Sequence, residues 1–320
     1  MNITRRSFGL AALGGMLLPA LPAIAKAPFA GAQAAGIYRL KVGSFEVTVL
    51  SDGWLPIELK LFTGASAEGA AKLLEGSFLP KDAVPTSINE WLVNTGDKLI
   101  LVDTGTPNTF APTVGRMAKN LAAAGVDPAA VDMVIITHLH PDHVGGLLTT
   151  DKKIAFPNAT VHIGEAEYAF WTSAEIYAKA SDDFKPLFDL ARSSIKPYVD
   201  AGKVEKFKDR AELAPGIVAV AAPGHTVGHT MVRVSSGRSE LLLWGDIVHN
   251  AALQFPEPDR AITYDTDQTM AIATRKRVFD MVATDRLLIG GSHLPFPSLG
   301  HVARASSGYA YVPVEWGADL

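Results

Sequence analysis

Seven consecutive residues, Thr137-His138-Leu139-His140-Pro141-Asp142-His143, place three imidazoles and one carboxylate within six positions. Imidazole nitrogen and carboxylate oxygen are good donors for divalent transition ions. The chain has no cysteine, so any metal site must use these two groups. The apolar run 131–136 just before them reads as a buried strand that feeds a ligand-bearing loop. On an extended segment residues i and i+2 point the same way, so His138 and His140 can grip one ion. Asp142 and His143 fall in the turn beyond, placed for a second ion nearby. Pro141 stops the strand, and Gly145-Gly146 let the backbone fold back closely. Burying this group without a metal would leave several polar atoms to satisfy, which argues against a packing role. His162, alone on an apolar stretch, reads instead as a satisfied core residue.

Three more candidate ligands sit where a strand gives way to a Gly-flanked turn. His225 lies in Pro223-Gly224-His225-Thr226 after the strand-like run 217–222, and Asp246 lies in Trp244-Gly245-Asp246 after 241–244. His293 lies in Gly290-Gly291-Ser292-His293 after 286–289. Strand ends on one edge of a sandwich converge, so these three can meet the first cluster. His229 and His301 read as structural or surface residues.

The elements that must bring these turns together follow from the patterning. Further strand-like runs are predicted at 38–42, 45–50, 90–94, 98–102, 159–163, 204–207 and 230–234. Helices are predicted over 65–80, 112–124 and 269–283, and residues 165–198 are helical and rich in aromatics. Asp52-Gly53-Trp54-Leu55-Pro56 opens a loop, and 303–316 is a closing segment. No Pro/Gly/Ser-rich linker, low-complexity tract or repeat interrupts residues 37–320, which read as one domain preceded by a leader at 26–36. Hairpins, a helix, a strand, helices and strands again suggest an α+β fold, two packed sheets with helices outside.

His-x-His-x-Asp-His, followed by Gly-His, Gly-Asp and Ser-His at strand ends, resembles the metallo-β-lactamase superfamily with its αββα sandwich. Leu101-Val102-Asp103-Thr104-Gly105 resembles the superfamily's upstream strand motif. The resemblance covers roughly residues 37–310. It implies that His138, His140 and His225 hold one metal, that Asp142, His143 and His293 hold a second, and that Asp246 bridges the two. It also implies that Asp103 orients a ligand histidine. Within the superfamily the chain is most similar to the branch of methyl parathion hydrolase and the exported lactonases and arylesterases. From His138 the intervals to His225, Asp246 and His293 are 87, 108 and 155 residues, which resemble that branch. Its helical aromatic segment and Phe110 do so too, and the carboxylate at 246 differs from β-lactamases proper.

The implied chemistry is hydrolysis. Two divalent ions that share a water lower its pKa toward neutrality and make hydroxide available at working pH. Asp142 or Asp246 can relay the proton. No Ser-His-Asp triad is needed, and Gly-x-Ser-x-Gly is absent. Aryl esters and aromatic lactones are the expected substrates, with phosphotriesters as lesser ones; the alternative is a dedicated organophosphate hydrolase. Phe110, Trp171 and Phe188, with Trp54 and Phe170, are expected on an apolar pocket wall, and His249 and Ile262 beside it. The donor set suits Zn2+ first, and Fe2+, Co2+ or Mn2+ according to supply. Relatives in this branch are commonly homodimers. A metal-binding scaffold without turnover is the reading from another class, and seven intact ligand positions oppose it.

With 48% hydrophobic residues and 19% charged ones, the 320-residue chain can bury a large core. Its net charge is −4, and because Arg5 and Arg6 are the only charges in the first 25 residues, the remainder carries −6. Such a balance gives no electrostatic reason to bind nucleic acid or anionic membranes, which opposes the superfamily's nucleases. Its di-iron redox enzymes carry Glu where this chain has His140. Residues 1–25 carry Thr4-Arg5-Arg6-Ser7-Phe8-Gly9-Leu10, an uncharged run and Ala23-Ile24-Ala25 as a cleavage site. They resemble a twin-arginine signal, which implies export to the periplasm as a folded, metallated protein. The run is short for a membrane span; an uncleaved anchor is the alternative.

Overall fold

Alternation along the strands decides which side chains meet. In Met133–Ile136, Met133 and Ile135 face the opposite sheet, whereas Val134 and Ile136 face the helices outside. Leu241 and Leu243 likewise turn inward from the second sheet while Leu242 turns outward. The computed structural model describes Ala27, residues 29–107 and residues 109–318. The export signal expected over residues 1–25 lies outside the described residues.

The first sheet has the strand order Ile37–Val42, Phe45–Glu58, Ala83–Asn94, Leu99–Val102, Met133–Ile136, Thr160–Gly164 and Val204–Phe207. Pairs up to Leu99–Val102 are antiparallel and those beyond it are parallel. The second sheet runs Tyr309–Pro313, Leu299–Arg304, Leu288–Gly290, Ser239–Leu243, Thr230–Ser236, Ile217–Ala221 and Glu212–Ala214. A short pair, Phe62–Thr63 with Ala261–Ile262, lies apart. Val47, Val49, Trp91, Ile217, Val232 and Val234 fill the space between the two large sheets. Outside the first sheet, helices Met117–Ala123, Glu165–Thr172 and Lys185–Asp200 bury Leu121, Trp171, Phe188 and Ile195. Outside the second, helix Gln268–Asp285 lays Val278, Phe279 and Val282 against Met231 and Leu242. The result is the αββα sandwich that the sequence suggests, and Ala35–Leu320 is one compact unit.

The departures from the sequence reading have local causes. Asp52-Gly53 does not end a strand: Phe45–Glu58 continues through it, and the register slips between Ser51 and Gly53. This bulge turns the Asp52 carboxylate inward, where it accepts the backbone N–H groups of Thr106, Gly115 and Met117. The chain before Met117 wraps this carboxylate, so the helix expected over 112–124 shortens to Met117–Ala123. Residues 165–198 divide into three helices, with the Ser173 hydroxyl accepting Ile176 N–H to cap the second. The closing segment is two strands at the sheet edge, Leu299–Arg304 and Tyr309–Pro313. Among the described residues no helix is long and apolar enough to cross a membrane.

Candidate metal centre

Strands of both sheets deliver the candidate ligands to one place. His138 and His140 follow Met133–Ile136, and Asp142 and His143 lie in the short helix Pro141–Val144. His225, Asp246 and His293 follow Ile217–Ala221, Ser239–Leu243 and Leu288–Gly290. One nitrogen each from His138, His140 and His225 lie within 4.8 Å of one another, as do donor atoms of Asp142, His143 and His293. Asp246 stands between the two triads. Its Oδ1 is 3.2 Å from His143 Nε2, and its Oδ2 is 3.3 Å from His225 Nε2 and 2.9 Å from His293 Nε2. The second triad closes with Asp142 Oδ2 3.4 Å from His293 Nε2 and 3.7 Å from His143 Nε2. All seven expected residues meet; Asp142 is half-buried and the other six are buried.

The donor atoms fit divalent cations. His143 Nδ1 is 2.8 Å from Asp103 Oδ2, His225 Nδ1 is 2.9 Å from Asp265 Oδ1, and His293 Nδ1 is 2.9 Å from the Ser87 carbonyl. His138 Nδ1 is 3.1 Å from Thr137 Oγ1. Each of these rings is thus held by one nitrogen and turns the other inward, as metal-binding imidazoles do. His140 is reversed, with Nδ1 2.9 Å from His225 Nε2, a close approach that a shared cation or a shared proton explains. The Nε2 atoms of His138 and His143 and Asp246 Oδ1 are buried without a hydrogen-bond partner. Each such orphan costs about 1–3 kcal/mol unless something binds it.

Burial holds His138 and His140 well below the usual imidazole range, and neighbouring histidines add to the effect, so both present neutral rings. Burial also opposes charge on His225, but Asp246 and Asp265 outweigh it and raise the ring to about 9. Carboxylates raise His143 and His293 in the same way against burial. Asp246 is held well below the carboxylate range because its histidines overcome its own burial. Without cations the centre therefore takes up protons to balance its carboxylates, and cation binding releases them.

A family model described as the metallo-β-lactamase superfamily matches residues 83–301. The chain belongs to the metallo-β-lactamase superfamily. It is a metal-dependent hydrolase. Among solved structures it is similar to AbOPH, a hydrolase of the β-lactamase superfamily, at 32% identity and a TM-score of 0.85, covering 89% of this chain and all of that one. It is also similar to AidC, a dizinc quorum-quenching lactonase seen with the product N-hexanoyl-L-homoserine. That match has 28% identity and a TM-score of 0.81 over 88% of this chain and 99% of the other. An N-acyl homoserine lactonase of Bacillus cereus is 25% identical over 222 residues, 63% of this chain and 79% of that protein. The two triads together with a dizinc relative point to two divalent ions in this superfamily member.

Behind the ligands lies a layer of buried polar side chains that fixes each loop of the hydrolase. Asp103, at φ 61°, accepts Thr137 N–H at Oδ1 (2.8 Å) and the Thr137 hydroxyl at Oδ2 (2.8 Å), besides facing His143. Asn89 donates to the carbonyls of Ser292 and Leu294 on either side of His293. Gln254 accepts His249 N–H, and Arg275 donates to the carbonyls of Ile247, Pro258 and Arg260. His229, expected to be structural, accepts Asp246 N–H at Nε2 (3.0 Å) and so donates from Nδ1 to the Ala222 carbonyl (3.1 Å). Burial brings it down to about 3, which keeps that acceptor free. Gly245 is at φ 58°, and a Cβ there would lie 2.6 Å from His229 Nε2. His162 is buried with Nδ1 3.8 Å from Glu205, and His301 is exposed. Asn89, Glu167, Gln254, Asp265 and Arg275 escape the strand-end pattern that marks the ligands. The one clue to Glu167 is an acid set among Tyr168, Phe170 and Trp171.

The pocket expectation needs correction. Trp171 and Phe188 have no exposed surface: helical spacing turns both onto the first sheet, although Trp171 meets His140 edge-on at 5.6 Å. Ile262 is also fully buried, packed with Ile57, Phe62 and Leu253. Phe170 is half-buried, and Phe110 and Trp54 are exposed. His249 does face the centre: Nε2 is 3.3 Å from Asp246 Oδ2, the ring stacks on His293 at 5.1 Å, and neither ring nitrogen has a hydrogen-bond partner. Exposed side chains missed in the sequence lie close in the chain to two ligands and to Asp265, which holds His225. Val227 comes two residues after His225, Tyr264 one before Asp265, and Phe296 three after His293. Burial, and then the charge of Asp142, raises the Tyr264 phenol.

Proposed function

We propose that this enzyme hydrolyses lactones and aryl esters with an apolar body, and phosphotriesters as lesser substrates. The observation that supports it most directly is Asp246, which offers one carboxylate oxygen to His143 and the other to His225 and His293. That placement suits a carboxylate shared by two cations, His138, His140 and His225 holding one and Asp142, His143 and His293 the other. Bound divalent ions would supply Lewis acidity for an ester-type oxygen and lower the pKa of a water toward neutrality. The chain's own groups do the rest. Asp142, half-buried, can take the proton from the attacking water at Oδ2 and pass it to the leaving oxygen. His249 offers a second polar contact from unpartnered ring nitrogens. Val227, Tyr264 and Phe296 supply an apolar rim for an acyl chain or aromatic ring. The lactonase relatives favour the carbonyl substrates. On the Arg5-Arg6 pattern we also propose export to the periplasm, and on the branch resemblance a homodimer.

The test is kcat/KM for dihydrocoumarin, an N-acyl homoserine lactone, phenyl acetate and methyl paraoxon on one metal-quantified preparation, alongside His140→Ala. Lactone or ester rates far above the phosphotriester rate, lost in the variant, are expected. The reverse ranking would make the enzyme an organophosphate hydrolase. Metal uptake with no hydrolysis of any activated ester would leave a binding protein.

A further inference from the structure

Glu167, in the helix Glu165–Thr172, is completely buried. Both its oxygens are fully engaged. Oε1 accepts Leu139 N–H at 2.9 Å and the Trp171 indole N–H at 2.6 Å. Oε2 accepts the Thr226 hydroxyl at 2.7 Å and Gly228 N–H at 2.9 Å. Burial pushes this carboxyl up; three of the four partners are obligate N–H donors, the Thr226 hydroxyl is the one group that could accept a carboxyl proton, and the ionised form lets all four donate. Leu139 separates His138 from His140, and Thr226 follows His225 directly. Trp171 in turn sits against the His140 ring. Gly228 lies flush on the helix start, since a Cβ there would come within 2.2 Å of Glu167 N. No bond of Glu167 reaches Asp142, His143 or His293; His143 hangs from Asp103 and His293 from the Ser87 carbonyl.

We propose that Glu167 is the positioning residue of the first triad: it clamps the loop of His138 and His140 to the loop of His225 at the spacing one cation needs, and leaves the second triad alone. This rests on the two-cation reading above. Glutamine has the same shape but fails the role, because an amide nitrogen at either oxygen position would face an N–H donor.

The test is Co2+ titration of the metal-free full chain, followed by visible absorption and by metal stoichiometry after dialysis. His225→Ala and His293→Ala supply the spectra of chains lacking the first and the second triad. Glu167→Gln is expected to bind its first ion with the His225→Ala spectrum and to bind the other about 10- to 100-fold more weakly than wild type. Thr226→Val removes a single bond and is expected to shift the same step in the same direction by a smaller factor; it carries the test if Glu167→Gln does not fold by circular dichroism. Two ions bound at wild-type affinity in the variants, or equal weakening of both steps, overturns the proposal alone. A wild-type chain that takes up fewer than two ions overturns the two-cation reading, and the proposal with it.

Discussion

Replacing Asp103 with asparagine changes one atom and should disable one triad. Asp103 is buried, with Oδ1 committed to Thr137 N–H and Oδ2 shared by the Thr137 hydroxyl and His143 Nδ1, each at 2.8 Å. In Asp103→Asn the amide oxygen must stay on the backbone donor, so the amide nitrogen takes the Oδ2 position. The Thr137 hydroxyl can turn its hydrogen away and accept from it, while its oxygen goes on accepting His138 Nδ1–H, 3.1 Å away, so the His138 tautomer is unchanged. His143 has no such freedom: Nδ1 must accept, which moves its proton to Nε2, the atom 3.2 Å from Asp246 Oδ1. Restoring the metal-binding tautomer sets N–H against N–H and forfeits a charge-assisted bond, about 1.5–3 kcal/mol. At 1.4 kcal/mol per decade this weakens the second triad about 10- to 150-fold, while the first triad should change by less than about threefold. Isothermal titration of the metal-free protein with Zn2+ resolves the two steps. An unchanged second step, or an equal fall in both, would refute the tautomer argument.

Other residues give independent checks. Phe188→Ala should cost about 3–5 kcal/mol in urea denaturation and leave KM alone; a raised KM at unchanged stability would return Phe188 to the pocket wall. Gly245→Ala should lose about 1–3 kcal/mol, because the left-handed backbone and His229 Nε2 at 2.6 Å both oppose a methyl group; wild-type stability would remove the claim that this turn seats Asp246. Glu90 is buried with neither oxygen partnered, and burial first, then Asp52, raises its carboxyl well above the usual range. A folded pKa above the unfolded one gives stability that is complete below the unfolded value, about 4.3, and lost as pH rises toward the folded value. Metal-free wild type should therefore lose ground to Glu90→Gln as pH rises above the unfolded value of about 4.3, and parallel pH curves would contradict this.

The ligands were legible because the chemistry is local in sequence. His138 and His140 share a side by strand periodicity, and Asp142 and His143 follow in one turn, so four of seven donors stand in one stretch. His225, Asp246 and His293 each carry the Gly-flanked mark of a strand end. Asp103 apart, which its strand motif marks, the groups that hold them carry no such mark, since their partners are remote: Asp265 lies 40 residues from His225, and Asn89 lies 203 from Ser292. Asp52-Gly53 shows a different limit. Its residue types suit a turn, yet antiparallel pairing with the long strand Ala83–Asn94 both before and after it converts it into a bulge. Trp171 and Phe188 show a third, because an aromatic side chain near a site in sequence serves the core as readily as the pocket. What remained outside sequence reasoning was the direction in which side chains on the helices point, which packing decides.

Two cations per chain is the statement on which the rest depends. The most direct measurement is metal content by mass spectrometry after reconstitution with Zn2+ and exhaustive dialysis, for wild type, His225→Ala and His293→Ala. Two ions in wild type and one in each variant is the expected result. One ion or none in wild type, or two retained in both variants, would contradict the arrangement of the seven ligands around Asp246.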